Sequence, residues 1–455
     1  MKSWSPNLLP RELPGHSHRV RLLNPPKALI LGFITLILSG TLLLKTPWAS
    51  HGAISWLDAL FTATSAVTVT GLVVVDTGTH FSLFGQLIIL LLIQLGGIGF
   101  MTFAVLMAAA LDFKLSLRQQ LVAQTAFNQP AFNTIKKSAI SIAIFSLIVE
   151  AVGTVLLSIF FIPELGWLQG FYHSIFYAVS AFNNAGFALS SNNLSAYVGS
   201  WGISLTVSAL FIFGGLGYLV FSDIVQKRRY RTLSVYTRLM LWMTLIVNVT
   251  AFILFLIFEY HNPASLGGLT HWGDKLLAAW FQATSPRTAG FNTLDISGFT
   301  TATCVLFLLL MFIGAAPNST ASGIKLSTFV VMLAATKSFL TGNLHVTLGR
   351  HSLSPAVVTR ALAIATISMM TIFLAILGLS AIETTPLLNI AFEVVSAFGT
   401  VGLSRGITDQ LSSFSLIIII FVMLIGRVGP LTLGYLLTIP KKHHIRFAHA
   451  ELPVG

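Results

Sequence analysis

Long apolar runs dominate this chain and alternate with short polar connections. A run of about 20 apolar residues is long enough to cross the hydrocarbon core of a bilayer as a helix. The pattern predicts eight such spans, of which the sixth is interrupted. They cover residues 28–45, 82–111, 136–162, 198–222, 237–259, 300–336, 355–382 and 411–438.

A shorter apolar segment lies between the two spans of each consecutive pair. Segments of about 10–14 apolar residues are too short to cross and are commonly re-entrant or interfacial. These segments cover residues 54–67, 168–182, 271–285 and 386–398. The predicted fold class is therefore an all-α polytopic membrane protein with four repeats, each consisting of a span, a re-entrant loop and a second span.

The four short segments are repeats of one another. Their strings are FTATSAVTVTGL, FYAVSAFNNAGF, WFQATSPRTAGF and FEVVSAFGTVGL, and they align without gaps on one glycine each. Every string has an aromatic residue ten positions before that glycine and a large apolar residue one position after it. Each also has a hydroxyl six positions before the glycine, expected to satisfy backbone groups behind it. The hydroxyl residues are Ser65, Ser180, Thr284 and Ser396.

A glycine at the end of each short helix indicates a central pore. Irregular backbone at membrane depth is tolerated only where it is buried or lines a watery cavity. Each short helix would point its carbonyl end, with about half a negative charge, at a common axis. The residues that follow, held extended, would offer carbonyls in place of a cation's hydration shell. The alternative is four glycine helix ends that hold no ligand. The predicted filter comprises Val69, Thr70, Gly71, Asn184, Ala185, Gly186, Thr288, Ala289, Gly290, Thr400, Val401 and Gly402.

The second span of the third repeat is broken between Gly314 and Gly323. Its Gly, Pro, Asn, Ser and Thr residues will not sustain a regular helix, so we expect it to lie under the filter in the pore. A fixed kink is the alternative. Arg427 lies inside the last span, where a charge costs about 2.5–3.5 kcal/mol on insertion scales. We expect it to face the pore as an electrostatic barrier and to bond the 314–323 carbonyls; the alternative is an arginine that snorkels to the cytoplasmic interface.

Composition and charge agree with a membrane protein. Of the 455 residues, 55% are hydrophobic and only 9% are charged, whereas soluble domains carry roughly 25% charged residues. The net charge of +12 is interpreted as a positive-inside bias and not as a nucleic-acid surface. Cys304 is the only cysteine in the sequence, which excludes an intramolecular disulfide framework.

Basic residues concentrate on alternate connections, and this places both termini in the cytoplasm. The other connections hold few cations, namely Lys45, Lys275, Arg287 and Arg405. The resulting pore repeats are residues 28–111, 136–222, 237–336 and 355–440. The cytoplasmic segments are the tails 1–27 and 441–455 and the linkers 112–135, 223–236 and 337–354.

The four-repeat plan with one filter glycine per loop resembles the Trk/Ktr/HKT superfamily of potassium transporters. The motifs VTVTG, FNNAGF, RTAGFNT and FGTVGLSRG are most similar to the KtrB-type membrane subunits of bacterial Ktr systems. The resemblance implies potassium uptake across the bacterial inner membrane, often coupled to sodium, by a homodimer in membrane lipid. It also implies a cytoplasmic nucleotide-binding regulatory ring of the KtrA type. In plant relatives a serine at the first-repeat glycine accompanies sodium transport, so Gly71 favours potassium.

The resemblance further implies that the broken span is a movable gate. The predicted gate comprises Gly314, Ala315, Ala316, Pro317, Asn318, Ser319, Thr320, Ala321, Ser322, Gly323 and Arg427. No Walker loop or dinucleotide fingerprint lies on a strand–helix unit. We therefore expect the chain not to be an enzyme, and to need no cofactor beyond the potassium or sodium that it carries.

Three other functions stay open at this point. One is a sodium-selective or weakly selective member of the same superfamily. Another is the ion-binding subunit of an ATP-driven potassium pump, which should carry further spans. The last is a membrane-embedded enzyme, which should show a catalytic dyad on facing spans.

Overall fold

The computed structural model describes residues 25–99, 132–343, 345–349 and 351–429. The predicted N-terminal tail up to residue 24, the end of the second span after residue 99 and the first linker up to residue 131 lie outside the described residues. So do the end of the last span after residue 429 and the C-terminal tail.

The described part of the chain forms fifteen α-helices and one small hairpin. The hairpin pairs β1 (Thr347–Leu348) with β2 (His351–Ser352) in antiparallel register. The helices are α1 (Pro25–Leu44), α2 (Trp56–Thr68), α3 (Thr77–His80), α4 (Leu83–Ile98), α5 (Phe132–Leu165), α6 (Trp167–Phe182), α7 (Trp201–Leu216), α8 (Tyr218–Lys227), α9 (Val235–Glu259), α10 (Trp272–Thr284), α11 (Thr301–Phe312), α12 (Leu326–Leu340), α13 (Pro355–Ser380), α14 (Leu387–Gly399) and α15 (Ser413–Val428).

The longest apolar helices are the predicted first spans of repeats two, three and four. Helices α5, α9 and α13 are each long and apolar enough to cross a membrane, and the bent pair α7–α8 would make a fourth such span. Short helices α2, α6, α10 and α14 begin and end within two residues of the predicted short segments. The apolar periodicity therefore located both kinds of helix.

The second span of the second repeat does not run as an unbroken helix, and here the prediction was wrong. The predicted span 198–222 bends by 89° between α7 and α8, because Gly217 adopts a φ of 77°, in the positive range that glycine favours. Gly99 and Gly429 end α4 and α15 with φ values of 89° and 92°. The predicted interruption of the third repeat lies between α11 and α12.

In repeats one, two and four, a glycine of the second span lies against the end of the short helix of the same repeat. A Cβ atom on Gly96 would lie within 3.0 Å of the Val67 carbonyl, and one on Gly426 would meet the Phe398 carbonyl in the same way. Gly214 has the equivalent approach to the carbonyl of Phe182. Only a residue without a side chain permits this packing.

The four repeats close into a ring. Helices α6, α10 and α14 each contact the second span of the preceding repeat, which is α4, α7 and α11 respectively. Helix α2 contacts α15 of the last repeat, so the circle closes between repeats four and one. Phe61, Phe176 and Phe392, at the aligned aromatic position, are fully buried between these helices. The core therefore surrounds the ends of the short helices and fixes where they point.

Candidate functional site

The site is built from four three-residue segments, the glycine triplets, which end at the aligned glycines. Their first residues take the left-handed conformation and not the extended one that the sequence predicted. This conformation is rare for β-branched side chains and persists only where the surroundings enforce it. The φ values are 57° for Val69, 60° for Asn184, 68° for Thr288 and 47° for Thr400, and 90°, 69°, 75° and 89° for Gly71, Gly186, Gly290 and Gly402.

The triplet amides are bonded back to the short helices. In the first repeat, Val69 N donates to Ala66 O at 3.1 Å and Thr70 N donates to Ser65 O at 2.8 Å. The second and fourth repeats reproduce both bonds, whereas in the third repeat the middle residue, Ala289, donates its amide to Ser285 O, one position later than the equivalent acceptor. Among the described residues no donor reaches a carbonyl oxygen of any triplet residue. The carbonyls are thus left free to bind something else.

Side-chain hydroxyls fix the last residue of a triplet or the residue that follows it. Ser65 Oγ accepts the Gly71 amide at 3.0 Å, and Ser396 Oγ accepts the Gly402 amide at 3.1 Å. In the second repeat Ser180 Oγ donates to the carbonyl of Phe187 at 2.8 Å. These three hydroxyls act as predicted.

The third repeat uses a different hydroxyl from the predicted one. Thr284 Oγ1 donates to Trp280 O within its own helix at 2.8 Å. Ser285 Oγ donates to Phe291 O instead and so takes the place of Ser180. Helix α10 ends at Thr284 and leaves Ser285 as its cap, which moves the supporting hydroxyl by one position.

The triplets meet one another in chain order around one centre. A Cβ on Gly71 would clash with the Ala185 carbonyl, and one on Gly186 would lie 2.9 Å from the Gly290 Cα. The circuit continues from Gly290 to the Val401 carbonyl and from Gly402 to the Thr70 carbonyl. The structure thus brings all twelve predicted filter residues into one buried ring, in which the glycines leave no space for a side chain.

The 314–323 loop lies against this ring. Its ends are joined where Gly314 N donates to Ile324 O at 2.9 Å. Ala316 N and Thr320 N donate to the carbonyls of Gly215 and Gly214, at 3.0 and 3.4 Å. Those carbonyls are free because α7 ends at Leu216, and the last carbonyls of a helix lack partners within it. The bend at Gly217 therefore supplies the acceptors that hold the loop.

Arg427 joins the loop to the first repeat. Its guanidinium donates to Thr320 O and, at 3.1 Å, to Ser322 Oγ. It also donates to the carbonyls of Gly96 and Gly97 at the end of α4. The predicted contact between Arg427 and the loop is present. A cavity of about 270 Å³ adjoins the loop, and its described lining includes Asn318, Lys325 and Arg427.

The sequence analysis misplaced Arg287 in an outer connection. The side chain is only 6% exposed and lies between the third triplet and the loop. Nη1 donates to Asn248 Oδ1 at 2.8 Å, and Nη2 lies 3.5 Å from the Gly314 carbonyl. Its place directly before the third triplet, inside the repeat, was the available signal that it belongs to the site.

Two buried glutamates have structural partners near the ring. The Glu150 carboxylate accepts from Gln94, Ser146 and Asn183 at 2.9–3.1 Å. Glu393 accepts from Thr408 Oγ1, which follows the fourth triplet. Both therefore tie a helix to a segment beside a triplet.

Comparisons with known proteins agree with this architecture. Residues 15–443 match the TrkH family, described as cation transport proteins. The chain is 46% identical to Ktr system potassium uptake protein B of Bacillus subtilis, covering 95% of this chain and 97% of that one. It is 37% identical to potassium/sodium uptake protein NtpJ of Enterococcus hirae, covering 92% and 93%. The crystal structure of the potassium transporter TrkH from Vibrio parahaemolyticus has the same fold, with a TM-score of 0.72 at 20% identity, over 93% of this chain and 86% of that one.

The third repeat offers a direct test of how the ring is supported. Ser285→Ala removes the donor to Phe291 O, and an unsatisfied buried acceptor costs about 1–3 kcal/mol. Thr284→Val, the matched control, removes a hydroxyl that bonds only within α10 and should cost less. Thermal unfolding of the purified full chain in detergent measures both. An equal or larger loss of stability in Thr284→Val would contradict the assignment of Ser285.

Proposed function

The chain belongs to the TrkH family of cation transport proteins, and we propose that it is the potassium-translocating pore subunit of a bacterial potassium uptake system. The observation that carries the proposal is the closed ring of triplets with unpaired carbonyls. Relatives at 46% and 41% identity, covering at least 94% of this chain, are each named Ktr system potassium uptake protein B. Sodium would be a second ion, since NtpJ is named a potassium/sodium uptake protein.

The ring can bind a cation without any charged side chain. Carbonyl oxygens replace the hydration shell of the ion, and the four short helices each direct a partial negative charge toward it. Back-bonded amides keep the carbonyls from turning away. This arrangement supports the filter assignment of the twelve triplet residues and favours it over four helix ends without a ligand.

We propose a topology of eight spans and four re-entrant loops around the ring. The long helices α5, α9 and α13 would cross as first spans, and the broken second spans would return to the cytoplasm. The repeats would be residues 28–111, 136–222, 237–336 and 355–440, with both termini cytoplasmic and the protein in the bacterial inner membrane. The concentration of basic residues on the linkers supports this orientation.

Substitution of a filter glycine tests the proposal. In cells that lack their own potassium uptake, the wild-type chain should restore growth on low potassium. Gly71→Ser, Gly290→Ser and Gly402→Ser should lower potassium affinity or its discrimination over sodium, because each Cβ would meet a neighbouring carbonyl. Gly186→Ser should be milder, since its Cβ would lie 2.9–3.1 Å from its nearest neighbours. Initial potassium and sodium uptake at matched expression gives the comparison.

Two results of these experiments would contradict the proposals. Unchanged potassium and sodium uptake in all four variants would remove the filter assignment. A wild-type chain that fails to restore growth on low potassium, with or without sodium, would instead contradict the transport proposal.

The 314–323 loop is proposed to be the gate. It interrupts a span directly beside the ring, and hydrogen bonds from Ala316 N, Thr320 N and Arg427 hold it there. Arg427 adds a positive charge next to the cation path and ties the loop to α4. An element with two arrangements of similar energy lets a partner control flux with a few kcal/mol. A fixed kink would make the same contacts but never release them.

Release of the loop should raise the maximal uptake rate. Arg427→Ala removes the tie to α4 and the positive charge, and deletion of residues 317–319 shortens the loop. Arg360→Ala is the control, because this arginine of α13 is exposed and makes no hydrogen bond to the loop among the described residues. Initial potassium uptake at matched expression measures the effect. Variants that fold but transport no faster than the control would leave the loop as a kink.

We propose that a separate nucleotide-binding ring of the KtrA type regulates a homodimer of this chain from the cytoplasm. The 223–236 linker offers a small ordered docking surface. Asp223 pairs with Lys227 at 2.7 Å and accepts the Ser234 amide at 2.8 Å. The hydrogen bond from Lys227 is the main reason that the pKa of Asp223 lies below its usual range, so the Asp223 carboxylate stays ionised at neutral pH.

Charge reversal on this linker tests the partner proposal. Arg229→Glu with Arg231→Glu should weaken recovery of the nucleotide-binding partner from native membranes, since both side chains are exposed there. Lys275→Glu, on the proposed outer side, should leave recovery unchanged. Uptake can also be measured in reconstituted vesicles with and without the partner. If uptake is already fast, does not respond to nucleotide and does not change when the partner is added, regulation by such a ring is contradicted.

A further inference from the structure

The second triplet contacts the 314–323 loop through a side chain. Asn184, its first residue, is 1% exposed. Its Oδ1 accepts from Thr320 Oγ1 at 2.8 Å, and its Nδ2 donates to Phe211 O at 3.2 Å. The loop residue Thr320 and the α7 residue Phe211 therefore hold the Asn184 amide from two sides.

The first residues of the other three triplets have no side-chain hydrogen bond to the loop among the described residues. The hydroxyls of Thr288 and Thr400 are buried without a hydrogen-bond partner among the described residues. Val69, in the first repeat, has an apolar side chain that cannot form one. The loop thus bonds by side chain to the first residue of one triplet, and that residue carries an amide.

We propose that Asn184 is a specificity-determining residue whose orientation Thr320 sets, so that the position of the loop controls the geometry of the second filter strand. The inference rests on the proposed function and deepens it. Selectivity and gating would then be coupled through one hydrogen bond. The loop would act on the filter as well as on the path of the ion.

The physical basis is the strained backbone at Asn184. A φ of 60° is a left-handed conformation that asparagine tolerates better than most residues but that surrounding contacts must still select. If the loop moves away, Thr320 leaves and Oδ1 becomes a buried acceptor without a donor. The side chain is then free to turn, and the peptide that carries the Asn184 carbonyl loses part of its restraint.

Removal of the Thr320 hydroxyl tests this coupling. Thr320→Val keeps the volume of the side chain and the backbone amide that bonds Gly214 O. It removes the hydroxyl that donates to Asn184 Oδ1 at 2.8 Å and lies 3.3 Å from Phe182 O. The ratio of potassium to sodium uptake should fall about two- to tenfold, the effect expected from the loss of one hydrogen bond. Thr320→Ser should retain the ratio because it keeps the hydroxyl. The matched control is Thr336→Val, since Thr336 is exposed on α12 and bonds only Met332 O in its own helix.

A double-mutant cycle separates coupling between Thr320 and Asn184 from independent effects of the two substitutions on the packing of the filter. Asn184→Gly removes the side chain at a positive φ that glycine adopts readily, and it should lower the same ratio. Thr320→Val added to Asn184→Gly should cause no further fall. The four chains of the cycle are the wild type, the two single variants and the double variant. For each full chain, initial potassium and sodium uptake is measured in uptake-deficient cells and corrected for its abundance in the membrane.

Two outcomes would overturn the inference. One is that Thr320→Val and Thr336→Val have the same ratio of potassium to sodium uptake and differ at most in the maximal rate of uptake. The other is a fully additive cycle. A wild-type chain that does not discriminate potassium from sodium would contradict the proposed function itself, so the two failures are distinguishable.

Discussion

The structure depends on one constraint, which is that the backbone of each glycine triplet must turn its amides back toward its own short helix while its carbonyls stay unpaired. Amides such as Thr70 N find acceptors in their own short helix, and serine hydroxyls fix the last residue of a triplet or the residue after it. Left-handed angles at β-branched residues such as Thr400 are the cost of this geometry. Packing of the short helices inside the ring of spans keeps that strain in place.

The broken second spans follow from the same logic. A helix that ends early leaves carbonyls without partners, and these become binding sites for other parts of the chain. The end of α7 holds the 314–323 loop, and the end of α4 holds Arg427. The early ends of α4 and α7 beside the ring therefore supply the carbonyl acceptors that position Arg427 and the 314–323 loop. This is also why the loop contacts repeats two and four and is tied through Arg427 to repeat one.

Much of this arrangement could be predicted from the sequence, because a short motif that is weak evidence alone becomes strong evidence when it recurs four times in the same register. The register of Gly71, Gly186, Gly290 and Gly402 identified the short helices as repeats and predicted the filter, and the Gly, Pro, Asn, Ser and Thr content of residues 314–323 located the interrupted span. The repeat failed where one copy differs from the others. Ser285 replaced the expected Thr284, and Arg287 proved to be buried, because their positions depend on the length and cap of α10. The bend at Gly217 was missed since a glycine in an apolar run is compatible with a straight helix as well as a broken one.

The central claim is that the triplet carbonyls coordinate a dehydrated monovalent cation. The most direct measurement is an experimental structure of the full chain in thallium, an electron-rich substitute for potassium, at a resolution that shows individual ions. The account predicts density at the centre of the ring, within coordination distance of triplet carbonyls from all four repeats, and its replacement when potassium is restored. Thallium bound only elsewhere, with the ring centre empty at a concentration that supports uptake, would contradict it.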